Sequence, residues 1–144
     1  MAERGGYFYG SYCSGTLVED NWVITAAHCV AAINEDYSSS GAYFVIRGDL
    51  TRGEIDDYAQ VIDAIEFPSW NQNTMAGDIG LLELSGFGIR SIDPMPVNDD
   101  NVTNGWVGDD MRLVGFGITR DNSNDGDVKR TADVPVWQYD SAFI

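Results

Sequence analysis

The stretch Trp22-Val23-Ile24-Thr25-Ala26-Ala27-His28-Cys29 decides how this chain is read. Residues 22–25 have the apolar, β-branched character of a strand. Two alanines then lead to the only histidine in 144 residues and to one of two cysteines. Little side-chain bulk crowds His28 where the strand gives way to a short helix, predicted over residues 26–33. A general base needs to be held in this way, because proton transfer tolerates little positional slack. Upstream, residues 14–18 read as a partner strand, and Glu19-Asp20-Asn21 as the hairpin turn between them.

Working outward, short apolar runs alternate with turns. Residues 42–46 form a strand that ends at Gly48-Asp49. Residues 58–67 alternate, with Ala59, Val61, Ile65 and Phe67 on one face broken only by Asp63. Residues 79–84 form a further apolar strand. Ser38-Ser39-Ser40-Gly41 and residues 69–77 are polar loops, and residues 85–108, with Pro94 and Pro96, read as a linker. Residues 111–118 and 131–136 are two more strands around the loop 120–127. Several short strands at this spacing, with 16 glycines among them, predict an all-β barrel or sandwich. The helix is too short to be an element in its own right.

Composition narrows the function. A hydrophobic fraction of 44% is that of a folded domain. The formal net charge of −15, with Lys129 the single lysine, opposes nucleic acid and anionic membranes as partners. No run approaches the ~20 apolar residues that span a bilayer, and residues 1–6 lack the apolar core of a secretory signal. Two cysteines are too few for a zinc site but suit one disulfide, which would contribute ~3 kcal/mol in an oxidising compartment.

Asp78 is the second candidate. If residues 78–84 are extended, Asp78 shares a face with Gly80, Leu82 and Leu84, so its carboxylate starts a strand on the buried side and needs donors. An imidazole N–H is a natural one, and accepting it would set the tautomer of the base. A strand-end aspartate that caps the turn after Gly77 is the plainer alternative.

These residues together resemble the trypsin/chymotrypsin family of serine endopeptidases. Cys13-Ser14-Gly15-Thr16-Leu17-Val18 followed by residues 22–29 is similar to the family's strand, tryptophan and T-A-A-H-C run. Asp78-Ile79-Gly80-Leu81-Leu82-Glu83-Leu84 is similar to its aspartate segment. Val114-Gly115-Phe116-Gly117-Ile118-Thr119 and residues 128–136 are similar to the opening strands of its second barrel. The resemblance implies an all-β fold of two Greek-key barrels with the active site between them. Residues 7–90 would form a nearly complete first barrel, 91–110 an inter-barrel linker, and 111–144 the first strands of an incomplete second barrel. It implies His28 as general base and then acid, Asp78 as its orienting carboxylate, and a Cys13–Cys29 bridge beside them. It implies polypeptide substrates, no cofactor or metal, and an extracellular or periplasmic parent protein.

The departures set further expectations. The family's Gly-Asp-Ser-Gly-Gly nucleophile segment does not occur in the 144 residues. Ser141 lacks flanking glycines for an oxyanion hole, and Met1-Ala2-Glu3-Arg4-Gly5-Gly6 stands where mature enzymes begin Ile/Val-Val-Gly-Gly. The expectation is a fragment lacking its nucleophile, inactive alone and prone to self-association through unpaired strands of the second barrel. The rival is an inactive protease-like binding or regulatory module. A metal-dependent hydrolase is disfavoured with one histidine and two cysteines. Two acidic groups invite calcium, residues 121–127 and the set Asp49, Glu54, Asp56 and Asp57. The first has Ala132 where a calcium loop needs a bidentate Glu, so an Asn/Asp/Gly-rich turn is expected there. Trp22, Trp70, Trp106 and Trp137 are expected to pack.

Overall fold

The predicted hairpin forms between β3 (Thr16–Glu19) and β4 (Trp22–Thr25), with Asp20-Asn21 as its turn and Leu17 opposite Val23. The computed structural model describes residues 2–4, 7–8, 10, 13–36, 42–49 and 55–138. Two compact units divide the chain, Met1–Pro96 and Val97–Ile144. The first adds β1 (Ala2–Arg4), β2 (Tyr7–Phe8), α1 (Ala27–Asp36), β5 (Ala42–Arg47), β6 (Asp57–Glu66) and β7 (Gly80–Leu84). Its seven strands pair in the order β2-β1-β5-β6-β7-β4-β3, every pairing antiparallel. The second unit has one 3-10 turn at Asn104–Trp106 and a hairpin of β8 (Asp110–Gly115) with β9 (Arg130–Pro135). The fold is all-β, with every strand pairing antiparallel and a single α-helix among the described residues, as the sequence implies. Residues 38–41, Glu54 and Ser141 lie outside the described residues.

One register positions everything that follows. β4 runs antiparallel to β7 with Thr25 opposite Gly80. The end of β4 and the start of β7 therefore lie side by side, which brings the residues just after Thr25 to those just before Gly80. Gly80, Leu82 and Leu84 point inward and are buried, the face expected of this strand. Leu82 and Leu84 join Leu17, Val23, Tyr43, Ala59, Val61 and Ile89 in one core.

Two expectations fail for physical reasons. Ile65 and Phe67 do not share the inner face of Ala59 and Val61; both are exposed. The register shifts between Val61, opposite Leu84, and Asp63, opposite Glu83, so Ile62 is an extra residue in β6. Such a bulge turns every later side chain to the other face, and Ala64 packs against the core instead. The helix is also longer than predicted, and it is no mere connector. Ala27, Val30 and Ile33, spaced by three along α1, are all buried, so an amphipathic stripe docks α1 onto the sheet.

Gly80 makes that docking close. A Cβ on Gly80 would lie 2.6 Å from Val30 Cγ2 and 3.0 Å from the Ile65 carbonyl oxygen. We expect Gly80→Ala to cost about 1–3 kcal/mol through overpacking, measured by urea unfolding. Combined with Val30→Ala, which removes the clashing methyl, the two losses should sum to less than their separate values. Strict additivity would show that the helix is not seated on Gly80.

Candidate active site

α1 begins without a side-chain cap of its own. Ala26 occupies the N-cap position, and its carbonyl accepts from the amides of Cys29 at 3.1 Å and Val30 at 3.2 Å. The first amides of a helix have no partner within it, and alanine offers no oxygen for them. Asp78, 50 residues away, supplies one: its Oδ1 accepts the His28 amide at 2.9 Å. Its other oxygen, Oδ2, lies 2.8 Å from His28 Nδ1. A single carboxylate thus caps the helix and holds the ring that the helix carries. The helix dipole favours negative charge at this end.

The chain places Asp78 there by a tight turn. Gly77 has φ +68°, a left-handed conformation that glycine adopts without strain. The Ile79 amide then donates back to the Gly77 carbonyl at 2.7 Å, which makes Asp78 the apex of a three-residue turn just before β7. Asp78 is thus a turn residue outside β7, not the first residue of the strand, and its carboxylate faces the helix.

Burial raises the Asp78 pKa, but the His28 amide, the imidazole hydrogen bond, the His28 charge and the Ala27 amide together outweigh it. The carboxyl lies below its ordinary value of 3.8. It is therefore ionised at neutral pH and can only accept. His28 Nδ1 must donate to it, which leaves the lone pair of the neutral ring on Nε2. The His28 side chain is 54% exposed and that of Asp78 23%, so the basic nitrogen belongs to a ring held at one edge and open to solvent. The pair is an imidazole fixed in orientation by a carboxylate, an arrangement capable of accepting a proton at Nε2.

Cys13 and Cys29 are joined in a disulfide, and their Cα atoms are 6.3 Å apart. It ties the segment before β3 to the first turn of α1. Thr25 Oγ1 donates to the Ser14 carbonyl at 2.9 Å alongside it. Cys29 Sγ lies 3.4 Å from His28 Nε2. Among the described residues, Cys13, His28 and Cys29 form the one cluster with metal-ligand geometry, and in the oxidised chain its two sulfurs are bonded to each other.

Three of the acidic residues considered for calcium, Asp125, Asp56 and Asp57, have protein donors as partners. Asp125 accepts from the Ser123 hydroxyl, from the Thr119 hydroxyl at 2.6 Å and from the Thr119 amide at 3.1 Å, and Arg130 lies 3.7 Å away. These donors, the Ser123 hydroxyl first, hold its carboxyl well below the usual carboxylate range. The loop is an aspartate-organised turn, with Asn122 at φ +61°. Asp56 pairs with Arg47 at 3.0 Å, and the Ser91 hydroxyl holds Asp57 below its ordinary value. Of the tryptophans, Trp22, Trp70 and Trp106 are half-buried. Trp137 is exposed, contrary to the packing role expected of it.

The capping role of Asp78 was not visible in the sequence. The one available signal was a helix whose N-cap position holds alanine.

A protein-family model described as Trypsin matches residues 3–143. The chain belongs to the trypsin family. It is 40% identical over 86 residues to chymotrypsin-like elastase family member 1 of Rattus norvegicus, which covers 56% of this chain and 29% of the relative. It is 27% identical over 140 residues to a trypsin of Simulium vittatum, covering 93% of this chain and 52% of the relative. Chymotrypsin-like elastase family member 3B of Homo sapiens is 37% identical over 90 residues, 58% of this chain and 30% of the relative. The chain therefore spans about half or less of the length of these trypsin-family relatives.

The lowered Asp78 pKa has a pH consequence. A carboxyl with a depressed folded-state pKa stabilises the fold above its unfolded value, and that contribution is lost as pH falls through the folded value. Asp78→Ala should cost about 1 kcal/mol at pH 7, the usual worth of a helix cap. The gap to wild type should shrink as pH falls below 3.8. Urea unfolding at neutral and acid pH measures it, and a gap that stays constant would mean the Asp78 charge is not what caps α1.

Proposed function

We propose that this chain carries the histidine and aspartate of a serine-type endopeptidase. The observation that carries the reading is the double contact of Asp78 with the His28 amide and ring. His28 Nε2 takes the proton of a serine hydroxyl as that oxygen attacks the substrate carbonyl, and returns it to the leaving amine. Water, activated by the same nitrogen, then releases the acyl group. Asp78 holds the ring and stabilises the imidazolium that forms; this sequence of steps is the family's own, carried over onto these residues. The nucleophile and the oxyanion hole are assigned to a Gly-Asp-Ser-Gly-Gly segment that these 144 residues do not contain.

Polypeptides are the proposed substrates of the parent protein. The disulfide supports an extracellular site of action, since such bridges persist in oxidising compartments. Among the described residues no helix is long and apolar enough to cross a membrane.

A fluorophosphonate probe, which marks activated serines, tests the reading. The 144-residue chain by itself should remain unlabelled. A parent protein that includes the Gly-Asp-Ser-Gly-Gly segment should be labelled, and His28→Ala should abolish that labelling. His28-dependent labelling of the short chain would overturn the assignment of the nucleophile elsewhere. A parent reading frame without any such segment would favour an inactive binding module.

Self-association of the short chain is proposed on separate grounds. Leu113, Val114 and Val134 of the β8–β9 hairpin and nearby Trp137 are exposed, and the pair β8-β9 forms a sheet by itself. Exposed apolar side chains beside strand edges favour pairing with another copy. Sedimentation should detect dimers or larger species whose proportion rises with concentration. A monomer across the accessible range would contradict this.

A further inference from the structure

The contact between the disulfide and the histidine has a meaning beyond orientation. One ligand atom from each of Cys13, His28 and Cys29 lies within 4.8 Å of the other two. In a tetrahedral zinc site with bonds of about 2.3 Å to sulfur and about 2.0 Å to nitrogen, sulfur and nitrogen ligands stand about 3.5 Å apart. Cys29 Sγ and His28 Nε2 already stand 3.4 Å apart. Two sulfurs on one zinc stand about 3.8 Å apart, a separation that the covalent bond between Cys13 and Cys29 prevents. Rotation of the Cys13 side chain about its own bonds opens that separation. The nitrogen is the correct one as well. Nδ1 is committed to Asp78 at 2.8 Å, so the lone pair of the neutral ring is on Nε2, the nitrogen 3.4 Å from Cys29 Sγ. A histidine that ligates zinc through one nitrogen and donates to a carboxylate through the other is the arrangement that orients such ligands and raises their basicity.

We propose that reduction of the Cys13–Cys29 bridge converts this corner into a Cys2His site for Zn2+, with Asp78 as its supporting carboxylate. A thiol reductant supplies two electrons and two protons to the sulfur–sulfur bond and is itself oxidised to a disulfide. Zn2+ then displaces both thiol protons, which leave to solvent, and accepts the Nε2 lone pair. The fourth position stays open to water. His28 is half exposed and gives the ion its entry path, while Cys29, at 4% exposure, is sheltered as a thiolate ligand of a stable site is. The same lone pair cannot serve zinc and a serine proton at once. Metal binding and base function are therefore mutually exclusive, and the disulfide keeps the histidine available as a base. The site itself does not depend on the proteolytic reading.

The test uses the 144-residue chain in oxidised form and after reduction with a phosphine, titrated with Co2+ as a spectroscopic stand-in for Zn2+. The reduced chain should bind one Co2+ with the intense visible bands of a tetrahedral ion and a near-ultraviolet sulfur-to-metal charge transfer. Zn2+ should displace it stoichiometrically, and the oxidised chain should give neither signal. His28→Gln, which keeps both thiols, should weaken binding at least tenfold and change the visible bands; Cys13→Ser should do likewise. The proposal is overturned if reduced wild type binds no Co2+, if the oxidised chain binds equally, or if His28→Gln retains wild-type affinity and spectrum. The last result would also expose simple chelation by thiols of an unfolded chain.

Discussion

The carboxylate of Asp78 is shared between two donors that belong to one residue, the amide and the ring of His28. Most of the first unit can be understood as what is needed to bring that carboxylate to that helix end. The β4–β7 ladder fixes the height, since Thr25 opposite Gly80 aligns the two approaches. Gly77 turns the chain so that the carboxylate faces inward. Gly80 lets α1 sit close on the sheet, with Val30 of the helix against it, where the His28 amide is within reach of Asp78. The disulfide and the Thr25–Ser14 hydrogen bond hold the other side of the same corner. Remove the carboxylate and both the helix cap and the ring orientation go with it, so stability and chemistry are coupled at one atom pair.

Legibility in the sequence followed the range of the interactions. The hairpin around Asp20-Asn21, the inward face of Gly80, Leu82 and Leu84, and the pairing candidates His28 and Asp78 were all readable, because alternation and motif order are local properties. The bulge at Ile62 was not. A period-two pattern carries no mark of where a partner strand inserts or omits a residue, and Asp63, which looked like a lone interruption of the apolar face, was the only trace of it. The extent of α1 was also underestimated. Its stripe of Ala27, Val30 and Ile33 is weak in hydrophobic terms, and the helix owes its stability to docking on β6 and β7.

The acidic loop at 120–127 is the turn its Asn/Asp/Gly-rich composition predicts. Asp125 gathers two hydroxyls and an amide in a turn of the second unit. Arg112 faces Asp133 across the β8–β9 pair with contacts of 2.8 and 3.0 Å. Much of the negative charge thus has local donors, as expected for short turns with few apolar residues to fix them. A composition of −15 describes the total and hides how individual carboxylates are used.

The long reach between His28 and Asp78 also governs how the site comes into being. No local segment contains both residues, and they meet only when β7 has paired with β4 across a loop of some fifty residues. Closing such a loop is slow because its entropy is lost before the pairing contacts repay it. The β3–β4 hairpin, closed by two residues, forms on a much shorter timescale. The contact between ring and carboxylate therefore depends on the long-range β4–β7 ladder rather than on any local segment. A chain in which that ladder had not formed would hold the histidine without its aspartate, so the orientation of the ring arises together with the tertiary fold.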